Sequence, residues 1–230
     1  MTIKSLQRLQ LLVRELGTLT AVLYAVDQLL RRFSPRCKLV YYRFVAQPLR
    51  DQPRLAPHRG KGFEFQLLHR VEPTLAALDR PPEVIYRRFA QGAQCLLSTK
   101  QQTVVGCIWF MHQAYLEDEV RVEYVLPSNG HCVWDFDVFV EPNERLGWLF
   151  AKQWDAFDQL LQPLGVRYSV SRISAFNQRS LASHLSLGAH PCGRALFLCL
   201  GPIQWMVASV YPYLAWGGRP RLSIHPQNSG

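Results

Sequence analysis

Residues 132–162 read CVWDFDVFVEPNERLGWLFAKQWDAFDQLL, and a change of period inside this stretch decides the fold class. From Cys132 to Val140 the large apolar side chains Trp134, Phe136, Val138 and Val140 alternate with Asp135 and Asp137. A period of two is that of a strand, so both carboxylates are expected on the face opposite the large apolar side chains. After a short loop the period lengthens. Leu146, Phe150, Trp154, Phe157 and Leu161 fall on one stripe, which predicts an amphipathic helix over 145–162.

Working outward, the flanking segments keep the same mixed character. Strands are expected at 63–68, 93–98, 103–111 and 120–126, the second and third as a hairpin turning near Lys100–Gln102. Short helices are expected at 74–79 and 82–91, the latter opening on Pro82-Glu83. Downstream, 167–173 reads as a strand, 177–187 as a helix stopped by Gly188, and 195–200 as the last strand. Residues 195–216 carry no charge, but Pro202, Gln204 and Pro212 interrupt them. The part beyond the strand is read as a short helix or as a patch on a bilayer surface.

The N-terminal region differs in composition. Leu9, Leu12, Leu16, Leu19, Leu23, Val26 and Leu30 recur at alternating spacings of three and four, which predicts one helix over 5–33. The seam has three uses: packing on the protein's own body, the commonest role of an amphipathic helix, pairing with a partner helix, or lying on a membrane surface. Residues 38–45 read as a strand and 46–61, with three prolines and basic residues, as a linker. This divides the chain into a basic extension at 1–61, a domain at 62–200 and an apolar segment with its tail at 201–230. Residues 1–61 hold twelve Lys or Arg against three acids, while 62–230 hold fourteen of each sign. The whole net charge of +9 therefore sits in the extension, which suits an anionic partner or simply a soluble surface.

Several chemistries lack their motifs. The seven histidines show no HExxH spacing, the six cysteines no CxxC pair, and neither a GxSxG elbow nor a P-loop occurs, so no metal is expected. No secretory signal is read at the start, and unpaired cysteines in apolar runs fit a reducing cytoplasm.

Two local patterns carry a resemblance. Val138 to Leu149 looks like a strand, loop and helix start that hold a diphosphate on backbone N–H groups, with Glu144-Arg145-Leu146-Gly147-Trp148-Leu149 in register with Gln/Arg-x-x-Gly-x-Gly/Ala. Gly147 is the matching residue, Glu144 and Leu149 depart from the pattern, and Arg145 offers a cation one position on. Asn177, Ser180, His184 and Gly188 match Asn-x-x-Ala-x-x-x-Tyr-x-x-x-Gly without a gap. Over 62–200 the chain thus resembles the GCN5-related N-acetyltransferase (GNAT) superfamily.

That resemblance implies an α+β (α/β) fold, a mixed and mostly antiparallel sheet flanked by helices, here with an N-terminal amphipathic helical extension. It implies an acyl-CoA-dependent N-acyltransferase using acetyl-CoA or another acyl-CoA as co-substrate. The cofactor would lie along Val138, Phe139 and Val140, on Arg145, Leu146, Gly147, Trp148 and Leu149, and against Asn177 and Ser180. His184 stands where the family has the tyrosine that protonates the departing thiolate. Asp135 or Asp137 would take the amine's proton, each raising the other's pKa. Glu117-Asp118-Glu119 with Glu123 form a second acidic set, and Ser171 and Ser174 edge the next strand. The expected acceptor is a small-molecule or saccharide amine, and no nucleic acid is expected. A homodimer through the leucine seam and the inner face of the cytoplasmic membrane are the further partners these features suggest. The rival reading is a catalytically inactive GNAT-like module recruited to a membrane or partner protein by its basic helix.

Overall fold

The computed structural model describes residues 13–227. Its elements begin with helix α1 (Thr18–Phe33), strands β1 (Cys37–Pro48) and β2 (Phe63–Leu68), helix α2 (Pro82–Ala90), and strands β3 (Gln94–Lys100) and β4 (Thr103–Met111). The short strands β5 (Ala114–Leu116) and β6 (Glu123–Val125) precede β7 (Cys132–Val140), α3 (Leu149–Leu161) and β8 (Tyr168–Ser174). Then come α4 (Gln178–Ser186), β9 (His190–Leu200), β10 (Ile203–Ala208), β11 (Leu214–Trp216) and β12 (Arg221–Ser223). The fold is α+β, with mixed, mostly antiparallel sheet flanked by helices. The chain packs as two compact units, one of residues 47–114 and 126–171, the other of 13–46, 115–125 and 172–227.

In the first unit β7, β4, β3 and β2 are neighbours in that order, all antiparallel. Gln101 and Gln102 take positive φ (49° and 64°) at the β3–β4 turn, the geometry that matches strand twist in a two-residue hairpin. Helix α3 lays Leu149, Trp154, Phe157 and Leu161 into the core, where Phe157 meets Phe110 edge-on at 5.0 Å. Full burial of such side chains is worth about 1.5–3 kcal/mol each, so this stripe anchors the helix.

Two expectations fail in this unit. The helix begins at Leu149, not at 145, and Leu146 is fully exposed. Pro142–Glu144 form a 3-10 turn, and Gly147 N–H donates to the Glu144 carbonyl at 3.0 Å, so the chain spends 141–148 on a loop. Nor is the proline-rich, basic stretch 46–61 a loose linker. Arg54 donates its backbone N–H to Asp155 (2.7 Å), pairs its guanidinium with Asp158 and lies over Trp154. Burial pulls the Arg54 pKa down to about 10, and the paired carboxylates keep the cation in place.

In the second unit β11, β10, β9 and β1 are neighbours, again antiparallel. The uncharged run after Leu200 is therefore a strand pair and not the expected helix. Gly201 turns the chain at positive φ, and Ile203, Trp205 and Val207 alternate with the buried Gln204, Met206 and Ala208. The expected strand at 120–126 shortens to β6, which joins β5 and β12 in a small sheet.

The single N-terminal helix is also revised. Its part at 5–12 lies outside the described residues, and Gly17, at φ 77°, separates helical residues 13–16 from α1. The leucine seam packs inward only in part, with Leu16, Leu23 and Leu30 half-buried. The buried face of α1 is Thr20, Ala21 and Asp27, while Leu19 and Val26 of the seam stay exposed. Asp27 sets this rotation, because its carboxylate accepts from Arg31 (2.8 Å) and from the Leu39 backbone N–H (2.9 Å). A buried carboxylate needs those donors more than the helix gains from turning another leucine inward. No described helix is long and apolar enough to cross a membrane.

Candidate active site

Strand β7 has different neighbours along its length. Cys132 to Asp135 pair in parallel with Tyr168 to Ser171 of β8, and that ladder ends at Asp135↔Ser171. Pairing with β4 continues to Val140↔Gly106. The second half of β7 thus carries an edge the β8 ladder does not reach. Glu141 N–H donates to the Val105 carbonyl across β4 at 2.8 Å. By strand alternation the N–H and C=O groups of Val138 and Val140 point the other way, to that edge.

The register with β4 slips between Trp109↔Asp137 and Phe110↔Asp135, leaving Phe136 as the extra residue of a bulge. This corrects the expected shared face: Trp109 and Phe110 point to opposite sides, and so do their partners Asp137 and Asp135. Asp137 meets Arg80 through two hydrogen bonds (2.9 and 3.0 Å) and Arg88 through a third (2.8 Å). Burial pushes its carboxyl up, but the two guanidinium groups outweigh that and hold it below the usual carboxylate range. A carboxylate with both oxygens held by arginines is a poor base, so the expected upward shift does not occur.

Asp135 lies on the other face, buried, and accepts from the Ser169 hydroxyl at 2.7 Å. Ser171, opposite Asp135 on the last rung, is also buried, and its Oγ has no hydrogen-bond partner among the described residues. A polar atom orphaned where two strands part is one that a ligand could satisfy.

Beyond β7 the loop returns on itself. Arg145 Nε donates to the Val140 carbonyl at 3.0 Å. Glu144, the acid in the diphosphate register, is neutralised by Lys100 at 2.6 Å. Trp148 precedes the helix without a side-chain cap, which leaves the first-turn N–H groups of α3 to another acceptor. Leu149, the other departure from the pattern, is fully buried and adds no bulk to the loop. Arg59 lies over the exposed Trp148 ring at 4.7 Å. Sequence reasoning missed both Lys100 and Arg59. The hairpin turn and the basic stretch held those signals, but neither lies near the motif in sequence.

Gly106 sits behind this edge. A Cβ there would meet Gln153 Nε2 at 2.5 Å and the Phe139 carbonyl at 2.6 Å. Gln153 is buried and bridges Ser98 (3.0 Å) to that same carbonyl (3.2 Å). Gly106→Ala is expected to cost about 2 kcal/mol by overpacking, read as a lower urea midpoint at unchanged slope.

Asn177, Ser180 and His184 belong to the other unit. Asn177 caps α4, its side-chain oxygen accepting from Ser180 N–H at 3.1 Å, so the two matching residues of the second pattern engage each other. His184 is buried on the inner side of α4, as is Leu181. Burial alone drives its pKa down to about 4, so the ring is neutral at pH 7. The thiolate-protonating role expected of it needs a ring charged near neutrality and open to a ligand, and this one is neither. In the second acidic set, Glu117 pairs with Arg172 (2.6 Å), and Glu119 accepts from the Tyr42 hydroxyl (2.6 Å).

No protein-family model matches the chain, and no curated protein matches it. Among solved structures it is similar to a tandem GNAT protein from the clavulanic acid biosynthesis pathway, at 14% identity and TM-score 0.49, over 75% of this chain and 55% of that one. It is also similar to an aminoglycoside N-acetyltransferase in complex with CoA, at 17% identity and TM-score 0.42, over 58% of this chain and 91% of that one. A GCN5-related N-acetyltransferase from Sphaerobacter thermophilus aligns at 17% identity and TM-score 0.43, over 77% and 55%. The match spans about half the length of the first and third of these proteins. The likeness is one of fold, to GNAT acetyltransferases at low sequence identity.

Proposed function

We propose that the chain is an acyl-CoA-dependent N-acyltransferase that moves an acetyl group to a small-molecule amine, with an amino sugar as one suitable acceptor. The observation that carries this reading is the β7 edge left by the β8 ladder, leading through an uncapped turn to the N-terminus of α3.

The residues fit such a co-substrate. The first turn of α3 from Trp148, with Gly147 before it and Arg145 and Arg59 near it, would hold the diphosphate. Lys100 cancels the one acid in that register. The outward N–H groups of Val138 and Val140 would hold the acyl arm and polarise its carbonyl. Bound there, an acyl-CoA would supply a thioester carbon for the amine to attack, the C–N bond forming as the C–S bond breaks and CoA leaves as its thiol. An ammonium group cannot attack until it loses a proton. Because Asp137 is held by two arginines, Asp135, which accepts from the Ser169 hydroxyl, would be the strand carboxylate that takes that proton, and Ser171 would orient the acceptor.

Calorimetric titration of the full chain with acetyl-CoA tests this. Saturable binding is expected. Gly147→Asp, at an exposed site where a Cβ comes no nearer than 3.3 Å to another residue, should weaken it at least about tenfold without changing Tm. No heat at millimolar ligand would end the reading.

A further inference from the structure

The second unit carries a large apolar surface that the transfer chemistry does not use. On β10 and β11, Ile203, Trp205, Val207, Leu214 and Trp216 share one face by the cross-strand registers Trp205↔Trp216 and Val207↔Leu214. Trp216 is 77% exposed, Leu214 72% and Val207 54%. The two indoles stack at 6.4 Å. Register with β9 extends the same face to Leu196, Leu198 and Leu200, each half-buried. Helix α1 in the same unit adds uncovered Leu19, Val22, Leu29 and Phe33. Monomeric proteins rarely leave so many large apolar side chains together in water, and such a patch marks a contact surface.

The charges around the patch decide what it contacts. Arg194 alternates with Leu196 and Leu198 along β9, so it lies on the apolar face, and its cross-strand neighbour there is Arg43. At the other end the Arg36 carbonyl accepts from Gly201 N–H in the β9–β10 turn, setting Arg36 beyond Leu200 and Ile203. Residues 172–230 contain five arginines and no Asp or Glu. A second copy of the chain would bring this arginine rim against its own kind, without acids from that segment to meet it. A bilayer with anionic headgroups takes both parts of the surface. Indole rings suit the headgroup boundary, leucines reach below it, and each arginine near the surface adds attraction.

We infer that the outer face of β9, β10 and β11 docks the protein on an anionic lipid surface. Of the two segments the sequence offers to a membrane, the surface is built on the uncharged run 195–216, now a sheet face, and not on the leucine seam.

Vesicle flotation of the full chain tests this, with phosphatidylcholine alone and with added phosphatidylglycerol. Binding is expected on the anionic vesicles, weaker on the neutral ones and weakened again by salt. Leu214→Ser with Trp216→Ser, and separately Arg36→Glu with Arg194→Glu, should each lower partitioning about tenfold or more. These side chains are exposed or at the rim, so Tm should hold in both variants. Equal recovery in the soluble fraction with and without anionic lipid overturns the inference. So does unchanged partitioning of the serine variant, or light scattering that shows a dimer which the serine variant dissolves.

Discussion

Replacing Asp137 with alanine should destabilise the protein by about 3–5 kcal/mol. The reason is the cations it leaves behind. Arg88 is buried, lies 5.0 Å from the Trp109 ring centre and 5.1 Å from that of Phe136, and donates to Asp137 at 2.8 Å. Arg80 adds two more hydrogen bonds to the same carboxylate. Without Asp137 a buried guanidinium loses its counterion, and water cannot replace it at that depth. Urea unfolding should show the midpoint fall. Arg88→Met added to Asp137→Ala should recover part of the loss, because it removes the stranded charge. A loss under about 1 kcal/mol, or no recovery in the double variant, would mean the triad is not coupled in this way. The sign with pH follows from the depressed carboxyl. Its contribution is fully present above the unfolded carboxylate pKa of about 3.9 and is lost as pH falls through the lower folded value.

The second large effect is also acid-dependent but lies in a different window. His184 titrates near 6.5 when unfolded and at about 4 in the fold, where burial disfavours its charged form. Between those values the unfolded chain binds a proton that the folded one refuses, so stability falls as pH drops from 6.5 toward 4. At pH 5 the loss relative to neutral pH is about 2 kcal/mol, approaching about 3 kcal/mol below pH 4. Chemical denaturation at pH 7 and pH 5 measures it. His184→Leu should remove most of that difference, whatever it does to stability at pH 7. A His184→Leu variant as acid-sensitive as the parent would show that other groups carry the dependence.

These two residues mark the limit of what could be read from the sequence. Period-two and period-3.6 patterns were legible because burial imposes them locally, so β7, the β3–β4 hairpin, α2 and the core stripe of α3 stand close to where they were expected. The alternation in 203–208 was equally present in the residues, but the lack of charge and the two prolines drew the reading of its secondary structure toward a short helix. The start of α3 was misplaced because Leu146 continues the stripe on paper, while Pro142 and the Gly147 turn keep it out of the helix. The orientation of Asp135 and Asp137 was not legible at all. It depends on a bulge defined only against β4, and Asp137's partners lie 57 and 49 residues away.

By itself the sequence determined the fold class, most strands and helices, and which loop precedes α3, because these follow from side-chain period and from backbone rules within a few residues. Tertiary structure alone decided which carboxylate is tied to arginines, that the histidine is a neutral core group, and which apolar face stays open to solvent. Those outcomes depend on desolvation and on partners brought together from distant parts of the chain, quantities that no local pattern of residues contains.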